Sequence, residues 1–456
     1  MVNFYNIISK NNYLSSMYVR IKNSDIGMRM AKGVFWSLAG TSIAKFIILV
    51  AGIVCARILG KEQYGEFGMV RSTINMFVVF GSVGLGLTAS KYISEYREKD
   101  KQKVSSIYVL TNGFSIITGT TITILVLIFA PFLAEKTLNA PYLSDDIRVG
   151  GLLLFVTIVN SAQNGMLSGF EDFRSIAINT FIASIAETLF MLIGAYYYSV
   201  LGAIWGFGIG YLVLAVANYV SIKKNIIKFT IPNKLKYFNK KDLRILYKFS
   251  LPAALSSIMV APVFWIIRAM LVKSAGFGEA GLYEIADQWK IIILFIPGAI
   301  SQMLMPILSS TKASESESTY WRVLKYNIGI NVIVTFVLAI IVSIYSSIIM
   351  QLYGKNFEST MAIIILAYST VFTSISTVFG TSIASFGKMW IGFCFNLLWA
   401  MIIVGFTYIF LHQGMGAVGL ALAVLCSYVI HTIMQFFYIF HLAKSRQALK
   451  SKLVIF

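Results

Sequence analysis

Charged residues are scarce in this chain of 456 residues: they make up 12% of it, and the acidic residues number only 19. A soluble domain of ordinary composition carries about a quarter charged residues, so water is not the solvent for most of this surface. Only seven prolines are present and 57% of the residues are hydrophobic, which excludes a disordered or fibrous chain. Because apolar runs of about 20 residues recur, the composition predicts an all-α integral membrane protein with many spans.

Cysteine and histidine are equally sparse, with three of each. Cys55, Cys394 and Cys426 are far apart in apolar segments, and no spacing that is typical of a metal site joins them to histidines. We therefore expect no disulfide, no metal and no cofactor. The chain also lacks a GxxxxGK[ST] phosphate loop, and its glycine-rich segments lie in apolar runs without a preceding strand, which argues against a nucleotide site.

Hydropathy along the chain predicts about twelve membrane-spanning helices in two sets of six. Nine basic residues and a single acid, Asp242, separate the two sets. The predicted segments are a cytoplasmic N-terminal segment (1–32), an N-terminal six-helix lobe (33–221), a basic cytoplasmic linker (222–248), a C-terminal six-helix lobe (249–442) and a cytoplasmic tail (443–456).

The distribution of positive charge predicts the orientation. Of the 38 Lys and Arg residues, 28 lie on the side of the two termini and the linker, whereas five lie in the loops on the opposite side. Because positively charged loops are retained in the cytoplasm, we expect both termini to be cytoplasmic. The net charge of +19 then reflects membrane topology and contact with anionic lipid head groups, and it does not indicate nucleic-acid binding.

The sequence contains an internal repeat. Residues 64–68 (YGEFG) match residues 277–281 (FGEAG) at an offset of 213, and residues 202–204 (GAI) match residues 416–418 (GAV) at an offset of 214. Since six helices is an even number, both halves insert with the same orientation. The pattern predicts two parallel six-helix repeats around a central cavity, related by an axis along the membrane normal.

Three segments of the chain resemble a known family: residues 32–37 (KGVFWS), 56–65 (ARILGKEQYG) and 84–86 (GLG). They are similar to the Wzx-type polysaccharide flippases of the multidrug/oligosaccharidyl-lipid/polysaccharide exporter (MOP) superfamily, and residues 56–65 are the most specific part. The length, the twelve helices and the repeat extend the resemblance over essentially the whole chain.

The resemblance implies a transporter, and not an enzyme, in the bacterial cytoplasmic (inner) membrane. It implies that the protein moves an undecaprenyl-pyrophosphate-linked oligosaccharide repeat unit between leaflets by alternating access, without a nucleotide. The product could be O-antigen of lipopolysaccharide, capsule or another polymer. Membrane lipids, the glycan polymerase and the chain-length machinery are the expected partners.

Charges that are predicted to lie within the hydrocarbon are the best candidates for function, because each costs about 2.5 to 3.5 kcal/mol at a helix centre. A pyrophosphate and acidic sugars require cations, and arginine can bind two phosphate oxygens at once. The predicted cations are Lys45, Arg57, Arg71, Arg268 and Lys290, and the predicted acids are Glu187, Glu284 and Asp287.

Helical periodicity predicts two polar stripes on equivalent helices of the two lobes. Arg71 and Asn75 share one face of the second helix, and Glu284, Gln288 and Gln302 share one face of the eighth. The repeat offset places Arg71 opposite Glu284. We predict that both stripes line the central cavity and bind substrate; the alternative is that they form hydrogen bonds between packed helices.

The remaining candidates are less specific. Arg57 and Arg268 lie near predicted helix ends, so each could bind substrate or extend to the membrane interface. Glu187 and Asp287 could couple transport to H⁺ or Na⁺, or they could form ion pairs with the arginines. Lys290 could simply pair with Asp287.

Two other functions are compatible with parts of the pattern. An ion-coupled drug or metabolite exporter of the same superfamily would carry cationic substrates and would favour buried acids, whereas five cations face three acids here. A membrane glycan polymerase or ligase would need a catalytic loop outside the cytoplasm. The longest predicted outside loop, residues 135–146, is short, which argues against such an enzyme.

Overall fold

The computed structural model describes residues 25–232, 242–246, 250, 258–301, 317–357, 359–386 and 388–453, and all regular structure in these ranges is helical. The principal helices are α1 (Asp25–Ser82), α2 (Leu85–Tyr96), α3 (Lys101–Phe132), α4 (Ser144–Gly169), α5 (Phe173–Lys228), α6 (Val260–Ile293), α7 (Glu317–Ile344), α8 (Ser346–Tyr353), α9 (Met361–Ser385), α10 (Met389–His412) and α11 (Gly416–Leu453).

Three of the helices bend sharply, and each therefore crosses the membrane twice. α1 bends at Gly60 (φ 77°) and α6 bends at Gly276 (φ 82°), in a left-handed conformation that glycine adopts without strain. α5 bends at Ser199 (φ 53°). Eight described helices are long and apolar enough to cross a membrane. Counting both arms of the bent helices and adding the 26-residue α4 gives the twelve predicted passes.

The two ends of the bundle differ. We call the end that contains the bends at Gly60, Ser199 and Gly276 the kink end, and the opposite end, where α5 ends at Lys228, the linker end. α5 extends into the segment that was predicted as linker (222–248), so the first residues of that segment are helical.

The buried apolar residues show where the lobes meet. One large cluster, which includes Tyr353, joins both lobes from the middle of the bundle to the kink end. Toward the linker end the described residues form two separate clusters, one in the first lobe around Leu85 and Ile226, and one in the second lobe around Tyr320 and Phe379. In the described part of the chain, the lobes therefore share a core at the kink end and have separate cores at the linker end.

The two lobes approach each other closely at the kink end. A Cβ atom on Gly65 would lie 2.0 Å from the carbonyl oxygen of Phe277, and one on Gly281 would lie 2.2 Å from that of Lys61. Both distances are too short for any side chain, so glycine is required at both positions. An ion pair between Lys61 and Glu279 (3.5 Å) adds to this contact.

At the linker end, the described part of the connection between the lobes packs on the first lobe. Asp242 is only 3% exposed, forms an ion pair with Lys103 and accepts a hydrogen bond from Ser106 (2.6 Å). The hydroxyl groups of Thr88 and Ser250 are 2.6 Å apart. The chain is thus anchored to the first lobe shortly before α6 begins.

Candidate functional site

Five charged side chains form a cluster where the second arm of α1 meets α6, and we call it the central cluster. Arg71 forms an ion pair with Glu284 across the two lobes. Arg268 lies 2.6 Å from Asp287 and 3.7 Å from Glu284, and Lys290 also pairs with Asp287. With three cations and two carboxylates, the cluster has a formal charge of +1.

The cluster is largely removed from solvent. The side chains of Glu284 and Asp287 are 6% and 10% exposed, and that of Arg268 is 13% exposed. Charges in such surroundings are stable only when they are paired. Each carboxylate has two cations as neighbours, so the two acids hold all three cations in place.

A cavity of about 430 Å³ opens onto the central cluster, within the range of small-ligand sites. All five members of the cluster line it, together with the polar side chains of Ser72 and Asn75 and the ring of Phe264. The Lys290 ammonium lies 4.6 Å from the centre of that ring, and the Arg268 guanidinium lies 6.0 Å from it. The cavity therefore presents cations, hydrogen-bonding groups and one aromatic face.

The local sequence explains how the helices bring these groups together. Arg71 and Asn75 are one turn apart on α1 and face the same side. A Cβ atom on Gly68 would lie 2.9 Å from Cγ of Glu284, so the glycine leaves room for that carboxylate. Arg71 and Glu284 are 213 positions apart, which is the offset of the internal repeat. Equivalent residues of the two repeats are therefore in direct contact.

The structure brings several predicted residues together at the cavity: Arg71, Asn75, Arg268, Glu284 and Asp287. Lys290 belongs with them, although its position one turn from Asp287 favoured a local ion pair. It does form that ion pair and also lines the cavity. The available sequence signal was the charge itself, within an otherwise apolar segment.

Gln288 is not among the residues that line the central cavity in this conformation, so its binding of substrate stays a prediction. Its buried side chain accepts hydrogen bonds from the hydroxyl groups of Tyr353 (3.0 Å) and Tyr64 (3.4 Å), and it donates to the carbonyl oxygen of Ile48 (3.4 Å). Gln288 faces the first arm of α1, where a Cβ atom on Gly52 would lie 2.3 Å from its Nε2. Gln302 lies outside the described residues.

Arg57 also lies away from the central cluster, so a role for it in substrate binding stays a prediction. It is at the kink end of the first arm of α1, just before the bend at Gly60. Its guanidinium donates hydrogen bonds to the carbonyl oxygens of Leu352 and Gln351 (3.3 Å for the latter). Because α1 reverses direction at Gly60, Arg57 lies beside α8, at the edge of a second pocket.

Glu187 and Lys45 lie at the periphery of the site. Glu187 packs against Gly210 and interacts electrostatically with Arg71, but it forms no ion pair among the described residues. Lys45 lies 5.6 Å from the ring centre of Phe295. In the described part of the chain, no group of three or more His, Cys, Asp or Glu side chains is arranged to hold a metal ion.

Comparison with known proteins agrees with this architecture. Residues 30–312, more than half of the chain, match the family model described as polysaccharide biosynthesis protein. This chain belongs to that family. A polysaccharide export inner membrane protein of Ralstonia nicotianae, EpsE, is 23% identical over 85% of this chain and 88% of its own length. The lipid III flippase of Escherichia coli is 24% identical over 62% of this chain and 68% of its own length.

Solved structures show the same fold. An inward-facing MATE-family multidrug resistance transporter of the MOP superfamily superposes with a TM-score of 0.76, covering 91% of this chain and 99% of the other at 17% identity. A MOP-superfamily transporter from Pyrococcus furiosus gives a TM-score of 0.70, covering 95% and 98% at 18% identity. The resemblance to the polysaccharide flippases of this superfamily is confirmed, and so are the all-α membrane fold and the assignment as a transporter rather than an enzyme.

Proposed function

We propose that this polysaccharide biosynthesis family protein flips an undecaprenyl-pyrophosphate-linked oligosaccharide repeat unit across the bacterial cytoplasmic membrane. The observation that carries the proposal is the convergence of Arg71, Arg268 and Lys290 on one cavity between the lobes. A pyrophosphate is the part of such a substrate that the hydrocarbon excludes most strongly. Three cations in a site with little water offer it charge-assisted hydrogen bonds.

Substrate binding at this site is an exchange of anions. Glu284 and Asp287 form ion pairs with these cations. Phosphate oxygens would compete with the carboxylates for the same guanidinium groups of Arg71 and Arg268. The formal charge of +1 then favours an anionic ligand over a cationic drug. Such a drug would have to compete with three positive charges for the two carboxylates.

The two lobes suit a transport cycle by alternating access. They share a core at the kink end and have separate cores at the linker end, so substrate would enter from the linker end. If the termini and the linker are cytoplasmic, as their positive charge indicates, entry is from the cytoplasmic leaflet. Release requires the kink-end contact at Gly65 and Gly281 to separate.

Transport could be coupled to H⁺ or Na⁺ through Glu187 or Asp287. Asp287 already forms ion pairs with Arg268 and Lys290, whereas Glu187 has no ion-pair partner among the described residues. Glu187 is therefore the better candidate for this role. The glycan polymerase and the chain-length machinery are the proposed partners, because they would act on the product at the opposite leaflet.

The test is a leaflet-resolved analysis of lipid-linked glycan in cells that lack this gene. An impermeant glycan-cleaving enzyme added from outside reaches only the outer pool, so we expect repeat units to accumulate in the protected inner pool. Complementation with Arg71→Ala or Arg268→Ala should fail although the protein inserts, and the lysine variants should restore part of the export. An unchanged lipid-linked pool would instead favour the drug or metabolite exporter.

The topology has its own test. A cysteine introduced as Asn233→Cys should not react with an impermeant thiol reagent in intact cells and should react in inverted membranes. Labelling in intact cells would contradict the cytoplasmic linker and reverse the proposed direction of entry.

A further inference from the structure

A second and larger pocket lies at the kink end, between the first arm of α1 and the α8 helix with the loop that follows it. Its volume is about 980 Å³, compared with about 430 Å³ for the central cavity. We call it the kink-end pocket, and its polar lining consists of Arg57, Ser347, Gln351, Lys355, Asn356 and Thr360. Arg57 comes from the first lobe and the other five come from the second.

The lining of the kink-end pocket is positively charged. Arg57 and Lys355 are its charged members, and no carboxylate is present among the described lining residues. Arg57 donates two of its N–H groups to the carbonyl oxygens of Leu352 and Gln351. Since a guanidinium has five N–H donors, three remain for a ligand. The side chains of Arg57 and Lys355 are exposed, so a ligand can reach both.

The depth of the pocket in the membrane indicates the kind of ligand. Three consecutive tyrosines at the kink end of the first arm of α5 are 70–74% exposed, namely Tyr196, Tyr197 and Tyr198. Exposed tyrosines in such a position are typical of the interface between hydrocarbon and water. The kink-end pocket lies at the same end of the bundle, where lipid head groups are located.

We propose that the kink-end pocket binds the phosphate group of a lipid with a net negative charge in the leaflet at that end, with Arg57 and Lys355 as its cations. A phosphate there contacts both lobes at once and therefore stabilises the conformation in which the kink end is closed. The phosphate could belong to a bilayer phospholipid or to an isoprenoid carrier. This proposal does not depend on the function of the central cavity.

The test is native mass spectrometry of the purified full-length chain with three soluble probes. Dihexanoyl phosphatidylglycerol represents an anionic phospholipid, farnesyl diphosphate represents an isoprenoid carrier, and dihexanoyl phosphatidylcholine is the zwitterionic control. We expect Lys355→Gln and Arg57→Gln to weaken binding of an anionic probe by about tenfold or more, as expected for a lost charge-assisted hydrogen bond. Arg148→Gln is the matched control, because Arg148 is also an exposed cation near the kink end but does not line this pocket.

Each outcome bears on the proposal. Preferential loss of phosphatidylglycerol in the Lys355 and Arg57 variants identifies a phospholipid site, and preferential loss of farnesyl diphosphate identifies a carrier site. Equal binding by wild type and both variants, or binding of phosphatidylcholine as tight as that of the anionic probes, overturns the proposal. The structure records no hydrogen bond from Lys355 to the backbone. Lys355→Gln therefore still tests the proposal if Arg57→Gln fails to fold. The same titration in an Arg268→Gln background separates this pocket from the central cavity.

Discussion

Neutralising Arg71 should destabilise the protein and stop transport for two separable reasons. The variant Arg71→Gln leaves the carboxylate of Glu284 in a site that is only 6% exposed. Removing one partner of a buried ion pair costs about 3 to 5 kcal/mol. Arg268 remains 3.7 Å from Glu284, and at an effective dielectric constant of about 20 two unit charges at that distance attract by roughly 4 kcal/mol. We therefore expect a loss near the lower limit, about 3 kcal/mol.

The assay compares Arg71→Gln, Glu284→Gln and the double variant by denaturant unfolding in one detergent. The double variant has no uncompensated charge at this pair, so its free energy of unfolding should return to within about 1 kcal/mol of wild type. Arg148→Gln provides the control: it removes an exposed pair with Asp145, at 2.9 Å, and should cost less than about 1 kcal/mol.

A measurement of glycan flipping separates the loss of stability from the loss of substrate binding. The double variant lacks the cation, so it should remain inactive after its stability has recovered. Recovery of transport in that variant would refute a substrate-binding role for Arg71. A double variant as unstable as Arg71→Gln alone would refute the ion-pair reasoning.

Two further predictions concern contacts outside the central cluster. Gly65→Ala places a methyl group against the carbonyl oxygen of Phe277 and should lower both the melting temperature and transport. Gly113→Ala is the control, because nothing lies within 4 Å of its added Cβ, and it should change neither. Equal melting temperatures of the two variants would contradict the tight kink-end contact. Lys103→Ala leaves the buried carboxylate of Asp242 without its cation and should lower the free energy of unfolding by about 3 kcal/mol. A change within experimental error would show that this anchor contributes nothing to stability.

Much of the fold could be predicted because the bilayer imposes simple rules. Apolar segments of sufficient length and the alternation of positive charge are visible in the sequence, and they indicated twelve helices. The end of α5 could not be located in this way, because a helix continues past the hydrocarbon into polar residues such as Lys228. Hydropathy also does not reveal that the two lobes share a core at only one end, since that depends on which apolar faces meet.

The site was predictable where charge alone determines it. Arg71, Arg268 and Glu284 are buried charges that must find partners, and they found one another. The sequence left two alternatives open for Gln288, because an amide can satisfy its hydrogen bonds equally well at a helix interface, where Tyr353 and Tyr64 are available. The position of Arg57 relative to the cavity could not be predicted, because it depends on the bend at Gly60 and not on helical periodicity.

The contact between Arg71 and Glu284 has a consequence for how such a protein can be built. In a homodimer with two-fold symmetry, a residue on the symmetry axis meets its own copy. Two separate copies of the first lobe would therefore place one arginine against another, and two copies of the second would oppose two glutamates. Joining the halves in one chain lets the two sequences differ, so that unlike charges can meet on the axis. The linker thus permits an electrostatic complementarity that identical subunits could not have at this point.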